Sequence, residues 1–438
     1  MIGAALCGLL QFLAFSLPVG LPVCILALVS FINILGECHQ RRIHIQAGIV
    51  HLTTFLCGQY HFLARMASDG NTGAAFVLVL LLTIYILPFI LFRVLVRPVS
   101  AETTIACLWI AEIVFSHMPV GNPLCSYALF LGDCPALAQW IHWTGWEGGS
   151  LWIILIATRV RWFLLDRRTW GRLALCILFP TCFSLAQWFI PVSEEQPFQI
   201  AMIPFSESPD AEAVFDSLAE VHSEDADIAL LPEGAIWFSS AEENLHPIVT
   251  SLRREVNAGD MPDIIVGVLA FDKGVYDNAV YVITKAAETF RRRKQILVPF
   301  SEYLPLETVL EKIEAIRSRM PYPQKKGANT LDICNGGGVI ICPLICYEAV
   351  FPDYLIKQAQ KGTELFTVSS SNSMINCDHM ERLIVNAMRI NSIRVGRSIA
   401  RCSEHGRSAV IDYRGRLVWS SSVESGVFFV EVPITKNP

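Results

Sequence analysis

Hydrophobic and polar positions follow two different rules along this chain. Up to residue 192 the apolar residues come in long runs, at roughly 2–16, 21–36, 45–64, 73–96, 104–118, 147–165 and 173–191, each bounded by turn residues or arginines. Runs of that length predict seven membrane-spanning helices, the first and fifth of them short. Beyond the boundary, near Pro191-Val-Ser-Glu-Glu-Gln-Pro197, the runs shorten and alternate with amphipathic stretches. The pattern predicts strands at 199–204, 227–231, 263–270 and 276–283, a hairpin of 330–334 with 339–345, and strands at 364–369, 398–402, 408–412 and 427–432. Helices are predicted over 210–221, 244–258, 306–320, 353–361 and 379–397. The expectation is a polytopic α-helical membrane domain over 1–192 followed by an α/β domain over 193–438, with helices packed outside sheets.

Composition sharpens that division. The chain is 53% hydrophobic and 17% charged, as a membrane protein would be. Nine of its ten arginines before residue 192 fall in three groups, Arg41 with Arg42, Arg93 with Arg97, and Arg159 through Arg172, on alternate sides from the loop 119–146, which has no Lys or Arg. Basic loops face the cytoplasm, so the amino terminus is expected inside and the second half outside, in the periplasm. The first apolar stretch lacks a basic leader and a small-residue cleavage pattern, and reads as a retained helix. A net charge of −6 argues against direct nucleic-acid binding, and Arg291-Arg-Arg-Lys294 is too short to change that. The 14 cysteines show no C-x-x-C pair and no zinc-like His spacing, so no metal site and no disulfide framework is signalled, although Cys125 and Cys134 could pair outside the cytoplasm. Nothing calls for a cofactor. Trp140, Trp143, Trp146 and Trp152 suit a membrane interface, and Glu112 inside the fifth run either faces a wet cavity or anchors its neighbours by a hydrogen bond.

Candidate chemistry sits at the ends of three strand-like runs. Ile340-Ile-Cys-Pro-Leu-Ile-Cys-Tyr-Glu348 drives an apolar run into Cys346, Leu230-Leu-Pro-Glu233 ends at a carboxylate, and Lys294-Gln-Ile-Leu-Val-Pro-Phe-Ser-Glu302 joins a lysine to a second one. A thiol needs a base and a nearby cation to act as a nucleophile at neutral pH, and these residue types supply both. Singly each has a plain structural reading: a buried thiol, a helix cap, part of a basic face, a turn residue. A cysteine–histidine pairing through His379 or His405 is possible on paper but carries no motif, and Gly336-Gly-Gly338 reads as a hairpin turn.

Taken together, Glu, Lys and Cys in this order resemble the triad of the nitrilase, or carbon–nitrogen hydrolase, superfamily. The resemblance implies a four-layer αββα sandwich with Glu233 as general base, Lys294 as the stabilising cation, Cys346 as nucleophile, and Glu302, Tyr347 and Glu348 in support. Seven apolar runs ahead of such a domain are similar to the apolipoprotein N-acyltransferase family, with further likeness at Val298–Pro305, Ile345–Pro352, Tyr276–Asn278, Ala409–Gly415 and Trp109–Glu112. That family resemblance implies a bacterial inner-membrane enzyme that moves an acyl chain from phospholipid to the amine of a lipoprotein or another acceptor. The chain departs from the family pattern at Leu231, at Ser301, and at Asn372-Ser-Met-Ile-Asn-Cys377, where an aromatic-rich loop is expected, and it ends at Pro433-Ile-Thr-Lys-Asn-Pro438 where a last helix is expected. In length and layout it is also similar to the TraB conjugal-transfer proteins of Ti-type rhizobial plasmids. The alternatives are therefore a conjugation or assembly role and a membrane-tethered amidase.

Overall fold

A computed structural model describes residues 1–17, 20–68, 72–118, 120–190, 195–239, 247–272, 274–285, 289–305, 307, 324–327, 332–373, 377–421 and 424–435. The chain divides into two compact units, one of Met1–Ile190 with Arg382–Ile390 and one of Pro191–Glu381 with Asn391–Pro438.

In the first unit the apolar runs form helices α1 (Ile2–Phe15), α2 (Gly20–Gly36), α3 (Arg41–Gln59), α4 (His61–Ser68), α5 (Thr72–Leu95), α6 (Ala101–Ser116), α7 (Ile141–Leu165) and α8 (Trp170–Phe189). Among the described residues three stretches are long and apolar enough to cross a membrane: Ala74–Leu95, Ile141–Leu165 and Arg167–Phe189. The run expected at 45–64 is divided at Tyr60, where α3 stops and α4 begins. Helix α6 starts at Ser100, whose side chain accepts from the Thr103 amide while the Thr103 hydroxyl oxygen accepts from the Ser100 amide, a reciprocal cap. The loop 119–146 contains three 3-10 turns, Pro123–Cys125, Tyr127–Asp133 and Pro135–Leu137. Helix α7 then begins at Ile141, earlier than expected, and kinks where Gly145 takes φ 69°. Cys125 and Cys134 are separate free thiols, and Cys125 donates to the Tyr60 hydroxyl at 3.2 Å, so the possible disulfide is not formed. Glu112 takes the anchoring role: its Oε1 accepts from Ser126 Oγ at 2.7 Å and from Ser150 Oγ at 2.5 Å, tying the turns and α7 to α6.

The second unit is a two-sheet α/β structure. One sheet runs β13-β1-β2-β4-β5-β6, with β3 also on β4, and the other runs β12-β11-β10-β9-β8-β7. The strands are β1 (Glu195–Met202), β2 (Ile228–Leu230), β3 (Ile236–Ser239), β4 (Asp263–Asp272), β5 (Val275–Ile283), β6 (Thr289–Arg293), β7 (Cys334–Gly336), β8 (Val339–Ile345), β9 (Leu365–Ser371), β10 (Ser398–Glu404), β11 (Ala409–Ile411), β12 (Leu417–Ser420) and β13 (Phe428–Thr435). Central strands are apolar on both faces because each face is covered. Ile264, Val266 and Val268 pack with Val214 and Leu218 of helix α9 (Ala211–Ala219) and with Val249, Leu252 and Val256 of α10 (Pro247–Ala258). The alternate residue Ile265 joins Ile200, Leu230 and Val280 against Ile341, Leu365, Ala400 and Val410 of the other sheet. Strands β8, β9 and β10 are parallel, which requires crossovers, and helices α11 (Pro352–Ala359) and α12 (Asp378–Val395) lie in those connections. The fold is the α/β class expected from the alternation of runs, and its two sheets packed face to face agree with the sandwich that the resemblance implies.

Strands β3, β6 and β12 were not anticipated, since short or charged strands such as Thr-Phe-Arg-Arg-Arg carry little alternation. The predicted hairpin pairs Cys334–Gly336 with Val339–Ile341. Residues 330–331 of that call lie outside the described residues, as do the helix expected at 306–320, apart from Glu307, and positions 244–246 of another.

Candidate active site

Three sheet-end segments of the second unit bring the predicted residues together. Glu233 follows β2 through Leu231-Pro232, and this turn lies directly against β4, where the Gly267 amide donates to Pro232 O at 3.2 Å. A Cβ at Gly267 would stand 2.4 Å from Pro232 O and 2.5 Å from the Glu233 Cα, so only glycine admits the turn. Lys294 directly follows β6, its amide donating to Asn278 O of β5 at 2.9 Å. Its side chain is 1% exposed, and Nζ contacts Glu233 Oε1 at 3.1 Å and Glu302 Oε1 at 2.6 Å. The two carboxylates are held independently of the lysine. Glu233 accepts from Asn278 Nδ2 at 2.6 Å and from the Ser371 amide at 3.1 Å, while Glu302 Oε2 accepts from the Val298 amide at 2.8 Å.

Cys346 directly follows β8 and has φ 46°, a left-handed conformation that a residue with a side chain adopts only where its surroundings enforce it. The enforcement comes from Glu348. This fully buried carboxylate accepts from the Ile345 amide at 2.8 Å and the Gln295 amide at 2.6 Å, and takes Arg292 through a fork at 2.7 and 2.9 Å. One side chain thus ties the elbow carrying Cys346 to the segment carrying Lys294. Tyr347 packs edge-on against Phe351 at 4.8 Å between ring centres. Both act behind the elbow rather than within the Glu233–Lys294–Glu302 cluster.

The electrostatics follow from this geometry. Burial, then the Glu233 charge, push the Cys346 thiol up to about 11, against the opposite pull of Lys294, a hydrogen bond from Ser370, and Arg401. For Lys294 burial works against the charge, but Glu233 and Glu302 together outweigh it and hold the ammonium well above its ordinary range. The resting site is therefore a neutral thiol beside a protonated lysine, with the thiol directed at Ser371 O at 3.7 Å. Such a set can pass a thiol proton to a carboxylate and meet a developing oxyanion with a fixed cation. Of the two histidines weighed in the sequence, His405 faces Glu404 at 3.7 Å, whereas the Cys346 thiol donates to Ser371 O.

Sequence reasoning did not single out Gly267, Ser370, Ser371 or Arg401, and Asn278 entered only as part of a strand resemblance. A glycine and an asparagine inside otherwise apolar strands were the available signals.

Residues 198–435 match the carbon-nitrogen hydrolase family, and residues 4–159 match the apolipoprotein N-acyltransferase N-terminal domain. The chain is similar to the apolipoprotein N-acyltransferase of Sinorhizobium fredii, 32% identical over 146 residues, which is 33% of this chain and 27% of that protein. It is similar to that of Nostoc sp. at 28% identity over 234 residues, 51% of this chain and 44% of the relative. The matches thus span between about a quarter and under a half of these relatives' lengths. Among solved structures, Saccharomyces cerevisiae Nit3, of branch 10 of the nitrilase superfamily, superposes with a TM-score of 0.41 at 15% identity, over 54% of this chain and 90% of that one.

Proposed function

The chain belongs to the carbon–nitrogen hydrolase family, and from that premise we propose that it is a membrane acyltransferase that carries a fatty acyl group from a phospholipid, through a thioester on Cys346, to an amine. The observation that carries this reading is a buried lysine bonded to two carboxylates beside a cysteine on a left-handed elbow. The match of residues 4–159 to an N-acyltransferase domain supports a lipid donor and an amine acceptor.

In this reading Glu233 takes the Cys346 proton as the sulfur attacks the ester carbonyl carbon, and Lys294 faces the oxyanion that forms. The carbon–oxygen bond breaks, Glu233 returns the proton to the departing lysophospholipid oxygen, and the acyl group remains on sulfur. The acceptor amine then attacks the thioester, Glu233 takes a proton from its nitrogen, and the carbon–sulfur bond breaks to give the amide and the thiol. Glu302 keeps Lys294 charged throughout, while Glu348 and Tyr347 hold the elbow. Residues 1–192 form the membrane part and 193–438 the catalytic part, in a multi-pass protein of the bacterial inner membrane with seven spans and its catalytic part on the periplasmic side, as the arginine distribution supports. The acceptor is a lipoprotein amino terminus or a related amine.

The test is covalent labelling of the purified full-length protein by a phospholipid bearing an alkyne-tagged acyl chain. A hydroxylamine-sensitive label should form on wild type, map to Cys346, and fall at least ~1,000-fold in rate in Cys346→Ala. Equal labelling of the two proteins would sink the assignment.

A further inference from the structure

The Glu233 carboxylate is held from both sheets, and the two holds are unequal. A carboxylate offers about four lone-pair sites on its two oxygens. Among the described residues three donors reach it: Lys294 Nζ at 3.1 Å and Asn278 Nδ2 at 2.6 Å, both on Oε1, and the Ser371 amide at 3.1 Å on Oε2. Oε1 is therefore fully engaged by residues of the first sheet, whereas Oε2 keeps one lone pair free. The Cys346 thiol is directed at Ser371 O, 3.7 Å away, so the sulfur and Oε2 have the same residue as neighbour. Asn278 is itself fixed. Its Nδ2 also donates to Gln324 Oε1 at 3.3 Å, and the Gln324 amide donates to Glu302 O at 2.8 Å.

Stability does not account for an asparagine at this position. Asn278 is 1% exposed within β5, and its Oδ1 is a buried acceptor with no partner. Such an orphan weakens a fold, and an apolar side chain of similar shape avoids it. What the asparagine supplies is the donor. We propose that Asn278 is a positioning residue for the general base: by occupying Oε1 together with Lys294, it leaves Oε2 as the oxygen that takes the thiol proton. The S–H bond breaks and an O–H bond forms on Oε2, while the sulfur electron pair forms the bond to the ester carbonyl carbon. A proton on Oε2 leaves the contact between Oε1 and Lys294 in place, so the cation stays where the oxyanion develops. Without Asn278 the carboxyl group turns about its terminal torsion, which has broad and roughly two-fold preferences, and presents either oxygen. Gln324 acts one step behind, holding the Asn278 amide in its plane.

The inference rests on the proposed roles of Glu233 and Cys346, so its test is single-turnover acylation of Cys346 by the alkyne-tagged phospholipid, in the full-length protein in detergent, with Cys346→Ala alongside. Asn278→Leu removes the donor and the orphan acceptor together. The maximal acylation rate should fall ~10–100-fold, as for a general base displaced by about 1 Å, with the half-saturating lipid concentration within ~3-fold of wild type. The thermal midpoint should stay within ~3 °C of wild type or rise, which a structural role for the asparagine would not allow. The solvent deuterium isotope effect on the rate should increase, because the proton transfer has become the slow event. Gln324→Leu should lower the rate ~3-fold in the same manner. Asn278→Ala carries the same test should the larger side chain unfold the protein. A folded Asn278 variant with the wild-type rate, or one whose rate falls only in step with its thermal midpoint, overturns the positioning role and leaves the nucleophile standing. Labelling that persists in Cys346→Ala removes the nucleophile and this role with it.

Discussion

The two halves of this chain bury ionisable groups in opposite ways. In the helical unit Glu112 is held by the hydroxyls of Ser126 and Ser150, donors that an amide oxygen could serve equally well. In the α/β unit Lys294 is held by Glu233 and Glu302, and neither carboxylate can be exchanged for a neutral group without changing the charge of the site. The first arrangement joins elements of structure; the second couples a cation to two acids, the arrangement that the proposed reaction uses. The difference teaches that burial alone does not mark a functional carboxylate. What surrounds it does: neutral donors satisfy an acid, whereas a shared cation couples its protonation to its neighbours.

Lys294→Met should break the comparison most severely. It leaves Glu233 and Glu302 facing each other without the cation, so stability should fall by about 3–5 kcal/mol, as for one lost partner of a buried pair. Acyl transfer should fall at least ~100-fold, as for loss of an oxyanion-stabilising group. Denaturant unfolding and single-turnover labelling read the two effects separately. A folded Lys294→Met protein with near-normal transfer would show that the lysine is structural.

Alkaline pH should affect the α/β unit next. Burial raises Cys342 and Cys402, lifts Cys334 to about 12, and with Glu233 lifts Cys346 to about 11. An unfolded thiol releases its proton near about 8.5, so above that pH the folded chain binds more protons than the unfolded one, and stability falls as pH rises toward about 11. Lys294 adds the same sign above about 10.4, where the unfolded lysine loses its proton and the folded one keeps it. Hydrogen exchange in peptides covering β8 and β10 should accelerate across that window. Constant protection up to pH 11 would show that these thiols are not held protonated by the fold.

The smallest effect is expected for Glu112→Gln, because the amide oxygen can accept both serine hydroxyls. Acyl transfer should stay within ~10-fold of wild type and stability within about 1–2 kcal/mol. A loss beyond 100-fold in a folded variant would place proton chemistry in the helical unit and erase the contrast.

Much of this was legible in the amino-acid order. Long apolar runs predicted α1, α2, α5 and α8 because a helix with no polar face needs no partner-dependent pattern, only length. The α/β class followed from short runs alternating with amphipathic stretches; Glu233 and Cys346 stood out because each closes an apolar run at the end of a strand or the turn beyond it, and Lys294 because it opens the segment that leads to Glu302. The sequence marks 119–146 only as a loop without Lys or Arg, and its 3-10 turns are set by contacts such as Ser126 with Glu112, which no local pattern encodes.

The sequence by itself determined the alternation of elements and the residue types available for chemistry, since propensity and hydrophobic period are local properties. Tertiary structure decided how those residues meet. The left-handed turn at Cys346 is imposed by Glu348, which also bonds Arg292 and the Gln295 amide more than fifty positions away in sequence. Gly267 is required because the turn before Glu233 crosses it, and Arg401 reaches Ser370 only because β10 lies beside β9. These are matters of strand order and register, which arise when distant segments bury their apolar faces together, and one residue's neighbours in the chain carry no record of them.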